Sequence, residues 1–253
     1  DQIGLFRTLL SAALLLSNFG RFGVNSGLVR FKSLLKHPQT ELKSLYGLGI
    51  LIVFLSTLFF LIILIIFRSS WSDFYAEKSP QINDYFILLI VLTLELIVFQ
   101  FLQTLASVHK NIFTANLLKN LVYKCLNMGG ILLFATSVIS FNTFIILHVY
   151  FYIILITLLF FESLYKYKIK ISFKPLTPKI TRELIYYCGT LFISGLGLSF
   201  LNLADQQLVS RYLGLETSGI YMTAIFMVMV IEMPRRFVGE ISAPIISEAF
   251  GSG

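Results

Sequence analysis

The sequence predicts an all-α, polytopic membrane protein, and three observations support this fold class. Hydrophobic residues make up 57% of the 253 residues and charged residues only 13%, with a mean hydropathy of +0.83. Soluble domains hold roughly 45–50% apolar and about 25% charged residues. Several apolar runs exceed the roughly 20 residues that cross a hydrocarbon core of about 30 Å. The basic residues cluster in alternate loops between these runs, as positive-inside topology requires.

About seven transmembrane helices follow one another along the chain. We place them at 3–31, 45–67, 85–107, 125–141, 143–164, 184–209 and 215–250, with the fourth and fifth meeting at Asn142. The basic loops at 30–43, 108–124 and 166–182 hold 4, 3 and 6 Lys or Arg residues, and the loops at 68–84 and 209–216 hold 2 and 1. Placing the three basic loops in the cytoplasm satisfies every crossing, so the first and last spans both run from outside to inside.

The net charge of +7 does not indicate a nucleic-acid partner, because positive-inside topology already explains the basic loops. Cys125 and Cys188 lie in predicted spans without a CxxC or His/Cys cluster, so we expect two small buried hydrophobic residues. The sequence contains no phosphate-binding glycine loop, nucleophile elbow or HExxH motif. We therefore predict no catalytic residues, no metal and no cofactor. The chain starts without Met and inside a helical pattern, and we interpret it as a fragment.

Four charges interrupt the middle of the last apolar stretch, at 215–250. They are the acidic Glu232 and Glu240 and the basic Arg235 and Arg236. Charges within an apolar span are costly in lipid and usually face a bundle interior or an aqueous pathway. Glu232, Arg236 and Glu240 recur at i, i+4, so the two carboxylates can neutralise Arg236 on its own helix. Arg235 projects elsewhere and is the freer cation.

Arg21 occupies a similar place in the first span, with Ser17 and Asn25 at the i−4 and i+4 positions instead of acids. A guanidinium fork suits phosphate. We therefore predict a cationic substrate-binding cavity at Arg21, Arg235 and Arg236, with Arg21 and Arg235 as the preferred pair. The alternative is that Arg235 and Arg236 simply flank the cytoplasmic end of the last span.

Glu95 is an acidic residue in the middle of the third span. It could be a counter-ion for Arg21, a proton site, or a protonated glutamate that faces the bundle. We group it with Glu232 and Glu240 as candidate counter-ion or proton sites. These interpretations stay open at this point. His148 is a lone histidine in the fifth span, for which a packed aromatic role is expected.

The first and last spans also resemble each other. A shift of 215 positions aligns Gly4 with Gly219 and Arg21-Phe22 with Arg236-Phe237. Internal repeats are common in secondary transporters, where the substrate site lies at the repeat interface. Gly23 and Gly27 form a GxxxG pair in the first span, which predicts close approach of another backbone.

Three stretches carry a resemblance to a known family. They are DQQLVSRYLG at 205–214 followed by SGIY at 218–221 and APIIS at 243–247, GLF at 4–6 leading to GLVRF at 27–31, and FLQTLASVHK at 101–110. With these patterns the chain resembles the bacterial polysaccharide flippases, the Wzx-type O-antigen or capsule repeat-unit translocases of the multidrug/oligosaccharidyl-lipid/polysaccharide exporter superfamily.

The resemblance implies a two-lobe exporter fold of six plus six or more helices around a central cavity. Residues 1–165 would form an N-terminal lobe without its first helix, residues 166–183 a basic cytoplasmic linker, and residues 184–253 the first two helices of a truncated C-terminal lobe. It also implies alternating access that moves an undecaprenyl-diphosphate-linked oligosaccharide across the bacterial inner membrane. An ion gradient would drive transport, and the polysaccharide polymerase machinery would be a partner.

Two alternatives differ in the chemistry that they require. A multidrug or small-cation exporter of the same superfamily should have an acidic cavity, whereas the first and last spans taken together hold five Arg and four acidic residues. An integral-membrane enzyme of envelope glycan synthesis should carry catalytic residues in a large outer loop, whereas the longest outer loop here is about 68–84.

Overall fold

The structure is a computed structural model, and it describes residues 2–35, 38–109, 111–167 and 169–251. The side chains of residues 38–40, 112, 202 and 233–251 are not described. The described residues contain helices and connections but no strand. Seven segments among them are long and apolar enough to cross a membrane, which confirms the predicted all-α polytopic fold class.

The helices follow one another with short connections. In chain order they are α1 (Gln2–Arg21), α2 (Val24–Lys32), α3 (Pro38–Ile66), α4 (Arg68–Tyr75), a 3-10 helix (Pro80–Tyr85), α5 (Phe86–Val108), α6 (Ile112–Leu117), a π-helical turn (Leu118–Val122), α7 (Tyr123–Ala135), α8 (Phe141–Tyr165) and α9 (Pro178–Gly251). The most extensive packing joins α1 to α9 and to α5. The first span is therefore surrounded by protein, and 61% of its apolar window is buried.

A break at Gly214 divides α9 into a first arm, 178–213, and a second arm, 215–251. Gly214 has φ 87° and ψ 173°, a backbone conformation that glycine adopts without the steric cost of a Cβ atom. The break lies within the predicted loop at 209–216. The phenol of Tyr221 on the second arm donates a hydrogen bond to Asp205 Oδ2 on the first arm, so the two arms form a hairpin.

Some predicted boundaries were wrong. The fourth and fifth spans do not meet at Asn142, because α7 ends at Ala135 and α8 begins at Phe141. Ser140 caps α8 by accepting a hydrogen bond from the backbone nitrogen of Thr143 at 3.3 Å. The first span is also two helices, α1 and α2, instead of one.

Cys188 is buried as predicted, but the prediction for Cys125 was wrong, since its side chain is exposed. The cause is the position of α7 at the edge of the bundle. This helix packs chiefly against α8, and only 11% of the apolar window in the span Phe113–Ala135 is buried.

The three basic loops meet at one end of the bundle. Lys32 Nζ donates a hydrogen bond to the carbonyl of Val108, and the ring of His109 stacks on that of Tyr167 at 4.8 Å. The loops that are poor in basic residues meet at the opposite end, where Ser79 Oγ donates a hydrogen bond to the carbonyl of Ser210 at 2.5 Å. The alternation predicted from charge is therefore present in the structure. We call the two ends the basic end and the opposite end.

The segment between α8 and α9 lies against the preceding spans. The backbone nitrogen of Ser172 donates a hydrogen bond to the carbonyl of Lys43 at 3.0 Å, and Leu176 is buried in the core. A Cβ atom on Gly47 would lie 2.2 Å from the carbonyl oxygen of Ser172, so this approach requires a glycine. The predicted division into lobes at 166–183 stays a prediction.

Candidate functional site

Arg21 lies at the C-terminal end of α1 and lines a polar cavity of about 290 Å³. The cavity lies between the α1–α2 junction and the first arm of α9, and its polar lining comes from Asn18, Arg21, Asn25, Ser26 and Ser194. Arg21 Nε donates a hydrogen bond to the carbonyl of Ser17 at 3.3 Å, which holds the side chain along its own helix. The remaining guanidinium nitrogens are available to the cavity.

The junction that opens this cavity is a break in the helix at Phe22 and Gly23. Both residues have positive φ angles, 45° and 69°, and such a conformation is unusual for a bulky side chain. A Cβ atom on Gly23 would lie 2.4 Å from the carbonyl oxygen of Cys188, and one on Gly27 would lie 2.5 Å from Cys188 Sγ. The close backbone approach predicted from the GxxxG pair is therefore confirmed, and the first arm of α9 is the partner.

The electrostatics of the cavity favour an anion. Lys119, in the π-helical turn, is close enough to Arg21 for the two positive charges to repel each other. Within the part of the chain whose side chains are described, the salt bridge found joins Lys166 to Glu162, and no carboxylate pairs with Arg21. Two cations without a nearby acid are stabilised by a bound anion. A π-helical turn is also a local irregularity that often occurs at functional sites.

The other predicted basic residues, Arg235 and Arg236, lie in the second arm of α9, together with Glu240. Their side chains are outside the described residues, so the structure does not say whether they face the cavity. The backbone of α9 continues past them to Gly251. Glu232 is half-buried on the same arm.

Glu95 lies on α5 and is 8% exposed. Within the described residues, both carboxyl oxygens are buried without a hydrogen-bond partner, and Glu95 forms no ion pair with Arg21. A charge at this position would be uncompensated. The counter-ion interpretation is thus not supported by a contact, and the proton-site interpretation stays a prediction.

A buried aromatic cluster lies next to Glu95. His148 is fully buried, its Nε2 lies 3.1 Å from the hydroxyl of Tyr123, and its ring packs edge-on against Phe6 of α1 at 4.8 Å. Tyr152 joins the cluster, with Phe99, one turn after Glu95, at 6.0 Å. The expected packed role of His148 agrees with these contacts. The sequence did not indicate that Tyr123 is the hydrogen-bond partner of His148, because the two residues lie on different helices, α7 and α8.

Sequence reasoning also missed a cluster of uncharged polar residues at the opposite end. We call it the outer polar cluster; its members are Thr8, Ser11, Tyr75, Gln207, Ser210 and Ser218. The feature of the sequence that could have indicated this cluster is the presence of short polar side chains, Thr8 and Ser11, in α1. Most such side chains in helices bond their own preceding carbonyl, so the pattern alone did not indicate partners.

The fold and the cavity together define a multi-pass helical membrane protein with a cavity lined by Arg21. A family model described as polysaccharide biosynthesis protein matches residues 1–250. The chain belongs to this family, which confirms the resemblance seen in the sequence. Searches among curated proteins and among solved structures gave no match.

Proposed function

We propose that the protein is a flippase that moves a lipid-linked oligosaccharide, carried on undecaprenyl diphosphate, across the bacterial inner membrane by alternating access. Membership of the polysaccharide biosynthesis family supports a role in surface polysaccharide synthesis. Seven membrane-length segments support a multi-pass transporter. The single observation that carries the proposal is the guanidinium of Arg21 in a polar cavity with no acidic partner among the described residues.

The diphosphate is the part of such a substrate that Arg21 would recognise. Charge-assisted hydrogen bonds from a guanidinium fork to phosphate oxygens are stronger than those between neutral groups. Lys119 adds a second positive charge nearby, and the amides of Asn18 and Asn25 add donors. This composition suits an anionic head group better than the cationic or apolar compounds that a multidrug exporter carries.

Arg235 and Arg236 complete the proposed site from the second arm of α9. In this proposal they approach the same substrate from the other lobe, and Glu232 and Glu240 hold Arg236 in place along the helix. Glu95 is the proposed proton site that couples transport to an ion gradient. Its buried, unpartnered carboxyl supports that role.

Replacement of Arg21 tests the proposed site. We expect Arg21→Gln to lower transport about tenfold or more, because one charge-assisted hydrogen bond contributes roughly 1.5–3 kcal/mol. Arg21→Lys should recover only part of this, since it retains the charge but loses the fork. Transport is measured in cells as the amount of lipid-linked repeat unit that stays on the cytoplasmic side of the membrane.

Arg182→Gln is the matched control, because Arg182 is an exposed arginine at the basic end of α9. It removes the same charge and should leave transport unchanged. Wild-type transport by Arg21→Gln would contradict the proposed site. No accumulation of lipid-linked repeat units after deletion of the whole protein would contradict the proposed function.

A further inference from the structure

The outer polar cluster joins three parts of the chain that are distant in sequence. Thr8 Oγ1 of α1 lies 2.6 Å from Ser210 Oγ on the first arm of α9 and 3.3 Å from Ser218 Oγ on the second arm. Ser210 also donates to Ser218 at 2.9 Å. All three hydroxyl residues are buried, at 1% exposure or less. A single contact point thus connects α1 with both sides of the break at Gly214.

A second layer of contacts surrounds these hydroxyls. Gln207 Nε2 donates to Ser11 Oγ at 2.6 Å, and the phenol of Tyr75 donates to Gln207 Oε1. Ser79 Oγ donates to the carbonyl of Ser210 at 2.5 Å. Tyr75 and Ser79 belong to α4 and to the connection that follows it, so this short surface segment covers the crossing from the opposite end.

The position of the cluster separates the Arg21 cavity from the opposite end. Thr8 and Arg21 are 13 residues apart on the same helix, which is about 20 Å at 1.5 Å per residue. Beyond Thr8, α1 and α9 approach without side chains between them, because a Cβ atom on Gly4 would lie 1.8 Å from the carbonyl oxygen of Leu215. At that end α1 is therefore in contact with both arms of α9.

The chemistry of the cluster is suited to repeated opening. Its bonds join neutral hydroxyl, amide and phenol groups, and no charged side chain takes part in the bonds described above. A neutral hydrogen bond contributes a net stabilisation of only about 0.5–1.5 kcal/mol, because water can replace either partner. A transporter needs two arrangements of similar free energy, and weak, mutually satisfied polar contacts meet that need.

We propose that the outer polar cluster is the gate that closes the cavity at the opposite end, and that this gate is closed in the structure. The inference rests on the proposed transport by alternating access. It assigns the gate to α1 on one side and to both arms of α9 on the other. Opening requires Thr8 to separate from Ser210 and Ser218.

A reversible cross-link tests this gate in the intact protein. Cysteines replace Thr8 and Ser210 in a Cys125→Ala, Cys188→Ala background, since the two oxygen atoms already lie within the reach of a disulfide. Oxidation should lower transport at least tenfold, and a reductant should restore it. Ser140→Cys with Thr143→Cys is the matched control. These hydroxyl oxygens lie 2.9 Å apart within one turn at the start of α8, so oxidation of that pair should leave transport unchanged.

A measurement without substrate separates the gate from the proposed cargo. Ser26→Cys places an exposed thiol at the cavity, and a membrane-impermeant maleimide is added to the face of the membrane at the opposite end. Labelling from that face should fall at least tenfold after oxidation of the Thr8→Cys, Ser210→Cys pair. Thr8→Val with Ser218→Ala, which removes two hydroxyls, should increase the labelling.

Equal labelling with and without the cross-link would overturn the gate. Gated labelling in a protein that moves no lipid-linked oligosaccharide would support the gate and contradict the proposed function.

Discussion

Gly4 and Gly219 lie against each other where α1 crosses the second arm of α9. A Cβ atom on Gly219 would be 3.3 Å from the backbone nitrogen of Gly4. These two glycines are also the pair that the shift of 215 positions aligns. A two-fold axis through a helix crossing brings equivalent residues together. The contact joins the two residues that the predicted repeat makes equivalent, and the repeat itself stays a prediction.

Replacement of Gly4 should separate the two helices. The Cβ atom of Gly4→Ala would stand 1.8 Å from the carbonyl oxygen of Leu215, and a backbone atom cannot move aside by a change of rotamer. Overpacking of this kind costs about 1–3 kcal/mol. We expect a lower midpoint of thermal unfolding in detergent, measured by intrinsic fluorescence.

Gly129→Ala is the matched control for this prediction. Gly129 lies in α7, and no atom would be within 4 Å of an added Cβ atom. Alanine is favoured over glycine inside a helix by roughly 0.5–1 kcal/mol, so this variant should be as stable as the wild type or slightly more stable. Equal unfolding midpoints for the Gly4 and Gly129 variants would show that the approach at Gly4 is not tight.

The glycines show how far the sequence predicts packing. The spacing of Gly23 and Gly27 predicted that another backbone approaches, and the structure confirms it. The sequence could not identify Cys188 as the neighbour, because the contact joins residues that are far apart in the chain and depends on how each helix is rotated. The same limit applies to Thr8, whose hydroxyl could equally bond a carbonyl of its own helix.

Glu95→Gln tests the proposed proton site. An amide has nearly the same shape as the carboxyl group and cannot ionise, and the oxygens of Glu95 have no hydrogen-bond partner to lose among the described residues. We therefore expect thermal stability equal to that of the wild type or higher, with transport lowered at least tenfold because no proton can be bound and released. Transport in cells and unfolding in detergent are measured on the same variant.

Glu183→Gln controls for the removal of a carboxylate, since Glu183 is exposed at the start of α9. Glu183→Gln should change neither transport in cells nor thermal stability in detergent. If Glu95→Gln transports at the wild-type rate, Glu95 is a buried structural residue and not a proton site.

His109 should make stability depend on pH. Burial, and then the positive charge of Lys32, lower the pKa of His109 below its usual value in the folded protein. A group whose pKa is lowered in the folded state makes its full contribution to the free energy of unfolding at pH values above its unfolded pKa, which is about 6.5 for histidine. That contribution is lost as pH falls below this value towards the folded pKa. Unfolding midpoints between pH 8 and pH 5 should therefore decrease on acidification.

His109→Gln isolates this effect, because glutamine does not titrate and can still accept a hydrogen bond from Tyr46, whose hydroxyl lies 2.9 Å from His109 Nε2. The decrease of the unfolding midpoint between pH 8 and pH 5 should be smaller in this variant. Lys32→Met should also make it smaller, since it removes the repelling charge. Parallel curves for the wild type and His109→Gln would exclude His109 as the cause.

The membrane spans and the alternation of loops could be predicted because they depend on composition and on charge counts along the chain. The environment of Arg21 could be predicted only in part. The lack of a local acid at Ser17 and Asn25 predicted an unpaired cation. The positive charge of Lys119 near Arg21 was not foreseen, because Lys119 lies in a π-helical turn that no periodicity indicates.

Glu162 attaches the segment between α8 and α9 to the bundle. Its Oε1 accepts hydrogen bonds from Tyr167 Oη at 3.0 Å and Asn111 Nδ2 at 3.3 Å, and it pairs with Lys166 at 3.1 Å. Burial and the bond to Glu162 raise the pKa of Tyr167 to about 12, so the phenol remains a donor.

Glu162→Ala removes the shared acceptor, at a cost of about 1–3 kcal/mol. We expect the segment 169–177 to detach and trypsin to cleave it several times faster after Lys170, which precedes Ile171. Glu183→Ala, which removes an exposed carboxylate, should leave the cleavage rate unchanged. Equal rates for Glu162→Ala and the wild type would show that Ser172 and Leu176 hold the segment without Glu162.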